Sequence, residues 1–409
     1  MVLVGALIVL AAASVGLALV VEPIPSWYYQ LAWWSYIVGL DDVNRRLSGR
    51  SLLRDRPAHF AWLCAVSVGW WTLFEALNLR LGNWYYVMSH PDRPTRWLSG
   101  VVAFATVLPG IVETLALVEH QGWPRSLRVR PLRWGPAADR ALVALGVLFF
   151  VLPLLLTNVF FPLTWGSFVL LLEPWNRRHA RRSFLRDLQE GEAAPMVRTL
   201  MAGLVCGVLW ETWNYWARSK WIYTVPFFDE WKLFEMPLLG FLGFPPFALE
   251  CLVVVRALSA AGERLRARWG RAWRPAMVGA AVAATGATAI VFEAADRVTV
   301  DSFYVPLERL DVLPEEARRR LVEAGFRSPE QALAAAPAAL RAPPLALVSY
   351  RGLGQERARA LGRLGIHEVA DLAAWTPAAL ADALKTPDPR DRFLRRRAGV
   401  WVRGAGWER

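Results

Sequence analysis

Cysteine and histidine are scarce in this chain, and their positions exclude several kinds of site. The three cysteines, Cys64, Cys206 and Cys251, all lie in apolar stretches, whereas a disulfide framework or a metal site needs paired or clustered cysteines. The five histidines are scattered, and the sequence has no Walker loop, no His-Glu-x-x-His and no Gly-x-Ser-x-Gly motif. We therefore predict buried thiols, no metal and no bound cofactor.

What the chain has in abundance is apolar sequence, gathered into blocks. It is 55% hydrophobic with a mean hydropathy of +0.28, above the roughly 45–50% apolar content of soluble chains. Most blocks reach the roughly 17–25 residues that a membrane-spanning helix needs. They are residues 2–21, 59–79, 97–118, 141–161, 196–217, 234–257 and 276–295, with shorter blocks at 26–40 and 162–175. We predict an all-α, polytopic transmembrane bundle of about nine spans.

Arginine-rich loops predict the orientation of these spans. The positive-inside rule places the four arginine clusters in the cytoplasm. Trp and Tyr are frequent in the loops at residues 80–96 and 218–233, as is typical of an outer interface. Nine spans then leave the N-terminus inside and the C-terminus outside. The preference for arginine over lysine and the abundance of alanine indicate a bacterium, so we expect the bacterial cytoplasmic membrane.

A tandem repeat organises the apolar part of the chain. The motif Asn-Arg-Arg-x-x-x-Arg-Ser-x-Leu-Arg-Asp begins at Asn44 and again at Asn176. Three more motifs follow in the same order in both halves, beginning at Glu75/Glu211, Trp84/Trp221 and Pro109/Pro246. Because each copy crosses the membrane an even number of times, the duplication is parallel. We predict membrane repeats at residues 1–120 and 135–258 and an extra span at 276–295.

A smaller repeat follows the last span. Its positions are Leu313, Glu316, Arg319, Leu321, Gly325, Pro337 and Leu340, then Leu353, Glu356, Arg359, Leu361, Gly365, Pro377 and Leu380. Each copy has the pattern of helix, glycine-centred turn and helix. The second copy, with Gly352-Leu353-Gly354, resembles the helix-hairpin-helix family. The resemblance implies a small helical domain at residues 311–384, before a basic tail at 385–409 and after a polar linker at 297–306.

Domains of the helix-hairpin-helix family contact either nucleic-acid phosphates or other proteins. The predicted topology places this domain outside the cell, away from the chromosome. We therefore expect membrane lipids, a hydrophobic small molecule and a protein partner for the tail, and we do not expect nucleic acid.

Carboxylates within the spans are the candidates for chemistry, because a charged group inside a bilayer is costly. Glu75 and Asn78 share one helix face, as do Glu211 and Asn214. In one reading the two pairs converge in a pocket near the outer leaflet, where one glutamate donates a proton and its twin accepts it. In the other reading each pair only forms hydrogen bonds between helices.

Other residues complete the predicted pocket and a second, anionic site. The expected substrate contacts are Trp84, Tyr86, Trp221, Tyr223, Glu235, Glu113 and Glu250. Of these, Glu113 and Glu250 follow a proline by one turn, and either form the cavity floor or reach the inner headgroups. The duplicated arginines either clamp an anionic headgroup or anchor their loops with Arg–Asp pairs. They are Arg45, Arg46, Arg50, Arg177, Arg178 and Arg182.

Residues 75–86 and 211–246 are similar to membrane enzymes of carotenoid biosynthesis, the carotenoid hydratases and lycopene cyclases. In these families a span ending in glutamate precedes an aromatic loop and a proline-rich span. The resemblance implies that Glu75 and Glu211 protonate or hydrate an isolated double bond without metal or nucleotide. We expect an enzyme that acts on an isoprenoid or lipid. The alternative is a non-catalytic carrier of a hydrophobic molecule, or a membrane assembly factor.

The parallel duplication makes a topological prediction. Single cysteines placed at Arg50 and Arg182 should both react with an impermeant thiol reagent only after the membrane is opened. Cysteines at His90 and Phe227 should react in intact cells. Labelling of Arg50→Cys and Arg182→Cys from opposite sides would instead mean that the repeat is inverted.

Overall fold

A computed structural model of the protein describes residues 1–227, 231–337 and 343–407. About 75% of the chain is helical, as the all-α prediction required. Leu340 of the tail repeat and the last two residues of the basic tail lie outside the described residues.

Thirteen helices form the apolar part of the described chain. The first six are α1 (Val2–Ala18), α2 (Ile24–Ser48), α3 (Leu52–Asp55), α4 (Pro57–Leu81), α5 (Arg93–Phe104) and α6 (Val107–Gln121). The next seven are α7 (Pro136–Leu155), α8 (Thr157–Phe160), α9 (Ser167–His179), α10 (Phe184–Gln189), α11 (Ala194–Trp216), α12 (Phe244–Trp269) and α13 (Trp273–Val298).

Proline and glycine mark the ends of several of these helices. Pro57 and Pro136 occupy the first position of α4 and α7, where the N–H that proline lacks would have no helical partner. Gly49 and Gly82 end α2 and α4 with left-handed backbone, at φ of 71° and 62°, a conformation that costs glycine little.

Five helical segments of the described chain are long and apolar enough to cross a membrane. They are Pro57–Leu81, Arg93–Gln121, Pro136–Leu155, Ala194–Trp216 and Leu238–Val298, the last of which contains both α12 and α13. Val2–Ala18 is apolar but shorter. The predicted block 162–175 divides between a 3-10 turn and α9. The 13 residues of α9 extend about 20 Å, less than the roughly 30 Å of a hydrocarbon core.

Large apolar side chains face outward along several of these helices. Such exposure is costly in water over a wide area and is expected where the surrounding medium is lipid. Examples that are at least 42% exposed lie on α1, α7, α11 and α13, namely Leu7, Ile8, Val147, Leu148, Leu204, Val208, Val282 and Ile290. The pattern supports a membrane-embedded body.

The two aromatic loops pair with each other at one end of this body. Strand β1 (Trp84–Val87) is antiparallel to β2 (Lys220–Tyr223), with Trp84 opposite Tyr223 and Tyr86 opposite Trp221. A second short pair, β3 (Lys232–Leu233) and β4 (Met236–Pro237), follows. We call β1 and β2 together the ribbon.

The described residues of the C-terminal part form seven further α-helices, whose core is shared with the ribbon. They are α14 (Glu315–Glu323), α15 (Pro329–Ala335), α16 (Pro343–Ser349), α17 (Gly354–Gly362), α18 (Val369–Leu372), α19 (Pro377–Leu384) and α20 (Leu394–Trp407). Their core includes Leu321 and Leu361, equivalent positions of the tail repeat, together with Tyr85, Val87 and Ile222 of the ribbon. The ribbon therefore contributes to the core of the tail.

Residues 299–304, within the segment predicted to be a polar linker, are hydrogen-bonded alongside β1. The N–H of Tyr86 donates to the carbonyl of Thr299, and the N–H of Asp301 donates to the carbonyl of Tyr86, both at 2.8 Å. The segment therefore runs parallel to β1. Its polar composition reflects a buried ion-pair network rather than exposure to water.

Asp301 is the centre of that network. Its carboxylate accepts hydrogen bonds from Arg397 and from Arg357, and the side chains of Asp301 and Arg397 are each only 1% exposed. Burial alone would raise the pKa of Asp301, but the two guanidinium groups outweigh it and hold that pKa below its usual value.

Asp301→Asn should detach the tail from the ribbon, because it leaves Arg397 buried without a counter-charge. Such a loss costs about 3–5 kcal/mol, measurable as faster proteolysis of the tail, which tracks the free energy of local opening. Acidification of the wild type should have the same effect, since the stabilisation disappears as the pH falls through the lowered pKa of Asp301.

Asp311→Asn is the matched control, because Asp311 pairs with Arg359 at the surface, where both side chains are about half exposed. We expect a change within about 0.5 kcal/mol. Equal protection of the tail in both variants would show that the buried network does not hold it.

Candidate functional site

A cavity of about 200 Å³ lies between the ribbon and the helices beneath it. Its wall is mainly apolar, contains many aromatic side chains, and includes the four predicted contact residues Trp84, Tyr86, Trp221 and Tyr223. Alternation along each strand explains this arrangement, since successive side chains point to opposite faces. Tyr85 and Ile222, the middle residues of the two Trp-x-Tyr motifs, are buried in the core of the tail instead.

Glu75, from α4, is the buried carboxylate on the cavity wall. Its Oε1 accepts three hydrogen bonds, from Trp71 Nε1 at 2.9 Å, Trp84 Nε1 at 3.1 Å and the Tyr86 hydroxyl at 2.6 Å. Its Oε2 is buried with no hydrogen-bond partner. One oxygen is thus saturated by the protein, and the other makes no hydrogen bond.

Glu211 has a related but weaker environment. Its Oε1 accepts one hydrogen bond, from the Tyr223 hydroxyl at 2.8 Å, and its Oε2 has no partner. Glu211 does not line the cavity, although Tyr223 does. Where Trp71 stands four residues before Glu75, Gly207 stands four before Glu211, and the ring of Phe244 occupies the space that a side chain would need there. The two predicted glutamates therefore do not meet at the cavity, because Glu75 lines it and Glu211 does not.

Asn78 and Asn214 serve the ribbon rather than the cavity. Asn78 donates to the carbonyl of Trp84 at 2.9 Å, and its oxygen accepts from the N–H of Asn83 at 2.8 Å. Asn214 makes the matching pair of bonds, to the carbonyl and from the N–H of Trp221, at 2.9 and 3.0 Å. Each asparagine joins a helix end to its strand, so both are positioning residues.

Three residues predicted to contact the substrate lie away from the cavity, namely Glu113, Glu250 and Glu235. Glu113 accepts a hydrogen bond at 2.6 Å from Asn44. Glu250 accepts from the N–H groups of Gly166 and Phe168 at the start of α9, the end of a helix that favours an anion. These contacts agree with a structural role for both carboxylates.

Glu235 is held by two cations at the edge of the ribbon. Lys220 donates to it at 2.9 Å, and Arg351 of the tail approaches within 3.5 Å. Burial would raise the pKa of Glu235, but these cations together with Lys232 keep it below its ordinary value. The carboxylate is therefore ionised and already paired.

The duplicated arginines clamp carboxylates of the chain itself. Arg45 and Arg46 both bind Asp42, at 3.0 and 2.9 Å. In the second copy, Arg177 and Arg178 both bind Asp139, at 2.6 and 2.5 Å.

These ion pairs agree with the Arg–Asp alternative rather than with a headgroup clamp. Arg50 is exposed, and Arg182 is 75% exposed and lies 3.8 Å from Glu119. Among the described residues, Arg50 is the one member of these six arginines that has no ion pair.

Sequence reasoning missed two sets of residues. Asp41 binds Ser51 at 2.6 Å, and Glu173 binds Ser183 at 2.7 Å. The two acids lie at the same position before each arginine motif. A comparison of the two repeats could therefore have identified them. Gln30, which lines the cavity, has no counterpart motif and could not be found in this way.

No protein-family model matches the chain, and neither a curated protein nor a solved structure shows significant similarity to it. Within the described part of the chain, no group of three or more His, Cys, Asp or Glu side chains could hold a metal ion.

Asn78→Ala should destabilise the ribbon and the cavity together. It leaves the N–H of Asn83 and the carbonyl of Trp84 without their partner, at a cost of about 1–3 kcal/mol for each buried group. A lower thermal midpoint in detergent should accompany altered tryptophan fluorescence. Thr212→Ala is the control, because its hydroxyl binds only a carbonyl of its own helix at the surface. Unchanged stability of Asn78→Ala would remove the positioning role.

Proposed function

We propose that the chain is a multi-pass protein of the bacterial cytoplasmic membrane, built as a parallel tandem duplication with about nine spans. Support comes from matched contacts in the two halves. Asn78 and Asn214 make the same bonds to the strand that follows, and Asp41 and Glu173 bind equivalent serines. The antiparallel pairing of the two Trp-x-Tyr strands is the arrangement that a twofold axis between the copies would give.

We propose that the cavity beneath the ribbon binds an isoprenoid or lipid and that Glu75 exchanges a proton with it. The observation that carries this proposal is the unequal use of the two oxygens of Glu75. Because Oε1 accepts three hydrogen bonds, a proton on this carboxyl group resides on Oε2. The aromatic wall suits an apolar ligand, and it also suits a cation formed when a double bond is protonated.

The proposed reaction begins with transfer of the Oε2 proton to one carbon of an isolated double bond. The O–H bond breaks, a C–H bond forms, and the adjacent carbon becomes cationic. The cation then loses a proton, or takes up water and loses a proton from the bound oxygen. Glu211 is the proposed final acceptor, reached through the hydroxyl of Tyr223 that lines the cavity.

A second candidate function is that of a non-catalytic carrier of a hydrophobic molecule. It is favoured by the finding that Glu75 lines the cavity whereas Glu211 does not. Glu75 can bind the polar end of a ligand without a second carboxylate facing the same cavity, whereas proton transfer needs an acceptor.

For the tail we propose a protein-contact role outside the membrane. Its Gly352-Leu353-Gly354 turn packs on the chain itself, because added Cβ atoms would meet Val87 and Ser302 at 2.4 and 2.7 Å. Backbone N–H groups of this turn are therefore covered, which supports contact with protein rather than with nucleic-acid phosphates.

Solvent deuterium tests the proposed chemistry even while the substrate is unidentified. The purified protein would be incubated in D₂O with a lipid extract of the membranes that contain it, and the isoprenoid fraction analysed by mass spectrometry. We expect deuterium in non-exchangeable C–H positions with the wild type and none with Glu75→Gln. Glu211→Gln should also abolish incorporation, because it removes the proposed acceptor.

Glu75→Gln keeps an oxygen that accepts the same three hydrogen bonds, so the folded yield should change little. Glu250→Gln is the matched control, since Glu250 is also buried, also has one unpartnered oxygen, and lies off the cavity. If lipid co-purifies with the protein but takes up no deuterium, the result supports the carrier function and contradicts the enzymatic function.

A further inference from the structure

A second cavity, of about 370 Å³, lies at the opposite end of α11 from the ribbon. Pro195, in the first turn of α11, lines this cavity, whereas the helix ends at Trp216, shortly before β2. The cavity is therefore at the end of the body that the arginine loops predict to face the cytoplasm. We call it the inner pocket. Its charged lining residues are Glu119, Arg182, Asp187, Arg198 and Arg256.

Arg256, on α12, is the residue of the inner pocket whose hydrogen bonds are least satisfied. Its Nη1 is buried and has no partner among the described residues, and the ring of Phe184 lies 4.1 Å from the guanidinium carbon. Glu173 attracts this guanidinium from farther away, but the Oε2 of Glu173 binds the Ser183 hydroxyl and the Leu185 N–H. Because a largely buried cation without a bound acceptor is costly, Arg256 lacks an anionic partner.

The other two arginines of the inner pocket are held in place without being neutralised. Arg198 donates from Nε and Nη2 to the carbonyl of Pro124, at 3.1 and 2.6 Å, and from Nη2 to the carbonyl of Arg125 at 2.9 Å. These neutral acceptors position the guanidinium but leave its charge in place. Arg182 is 75% exposed and lies 3.8 Å from Glu119, too far for a good hydrogen bond.

The arginine clamps elsewhere in the repeats show what a neutralised guanidinium looks like in this chain. Asp42 and Asp139 each bind two arginines, at distances of 2.5 to 3.0 Å. In the inner pocket three arginines face two carboxylates, so one positive charge is left over beside an open cavity. The first turn of α11 adds the positive end of a helix.

The first repeat lacks the basic side chains that complete the inner pocket in the second. In the alignment of the repeated motifs, Trp62 corresponds to Arg198, and Glu119 corresponds to Arg256. The arginine motif itself occurs in both copies, and this shared motif already accounts for the predicted orientation of each copy. Arg198 and Arg256 are therefore not needed for orientation, and a role particular to the second copy explains them.

From these observations we infer that the inner pocket binds a phosphate group, carried by an anionic lipid headgroup or by a soluble phosphate compound. The guanidinium of Arg256 binds a phosphate oxygen, and Arg198 and Arg182 supply further positive charge. A planar guanidinium fork matches phosphate oxygens well. The volume of about 370 Å³ is many times the roughly 30 Å³ of one water molecule, so a phosphate group enters together with water. The inner pocket is separate from the cavity beneath the ribbon, so the inference goes beyond the proposed function and does not rest on it.

Three compounds that share parts of one structure test the inference. Dioleoyl phosphatidylglycerol has both the phosphate and the acyl chains, dioleoylglycerol has the chains alone, and glycerol phosphate has the phosphate alone. Dissociation constants would be measured by native mass spectrometry of the full-length protein in dodecyl maltoside. We expect a phosphate compound to bind at least about tenfold more tightly than dioleoylglycerol, the usual effect of a hydrogen bond to a charged group.

Substitutions of one helix connect this preference to the inner pocket. Arg256→Gln should weaken binding of the phosphate compound about tenfold. Arg266→Gln is the matched control, because Arg266 is also on α12, also contacts an aromatic ring, that of Trp273 at 4.4 Å, and does not line the pocket. It should change the affinity less than about twofold, since an exposed charge at a distance is screened. Arg256→Lys keeps the charge but loses the planar fork. It should weaken binding severalfold, and it provides the comparison if Arg256→Gln does not fold.

Each outcome of these measurements decides a point. Tighter binding of phosphatidylglycerol than of glycerol phosphate identifies a lipid headgroup as the source of the phosphate, and equal or tighter binding of glycerol phosphate identifies a soluble compound. The inference is overturned if neither phosphate compound binds, if dioleoylglycerol binds as tightly as phosphatidylglycerol, or if the Arg256 variants bind as tightly as the wild type. Deuterium uptake at Glu75 is unaffected by any of these results.

Discussion

The pairing of β1 with β2 is the contact on which the rest of the site depends. One face of this ribbon places Trp84, Tyr86, Trp221 and Tyr223 on the cavity wall, and the other face places Tyr85 and Ile222 in the core of the tail. A two-stranded sheet is marginal by itself. Asn78 and Asn214 fasten it to α4 and α11 from below, while the tail and the segment that contains Asp301 cover it from above.

This arrangement makes the geometry of the cavity depend on the tail, although none of the described tail helices lines the cavity. The Tyr86 and Trp84 side chains reach Glu75 only if β1 keeps its register, and a slip of one residue would turn both to the opposite face. The buried Asp301–Arg397 pair holds the tail against that strand. The tail therefore acts on the site by holding the ribbon in place.

Much of the cavity wall could be predicted from the sequence, because several of its residues belong to duplicated motifs. The Trp-x-Tyr motifs and Glu75 do meet at one cavity. The roles of Asn78 and Asn214 could not be predicted, because their hydrogen-bond partners are backbone atoms, which every residue has. The difference between Glu75 and Glu211 depends on Trp71 in one copy and on Gly207, against Phe244, in the other. The pairing of residues 299–304 with β1 could not be predicted, because a polar segment buried by ion pairs has the composition of a loop.

The central claim is that a hydrophobic molecule occupies the cavity in contact with Glu75. A density map of the protein extracted directly from its membrane into native nanodiscs tests this claim most directly. The account predicts elongated density beneath the ribbon, in contact with the side chain of Glu75. A cavity closed by the rings of Trp71 and Trp84, with Glu75 bound only to groups of the protein, would contradict it.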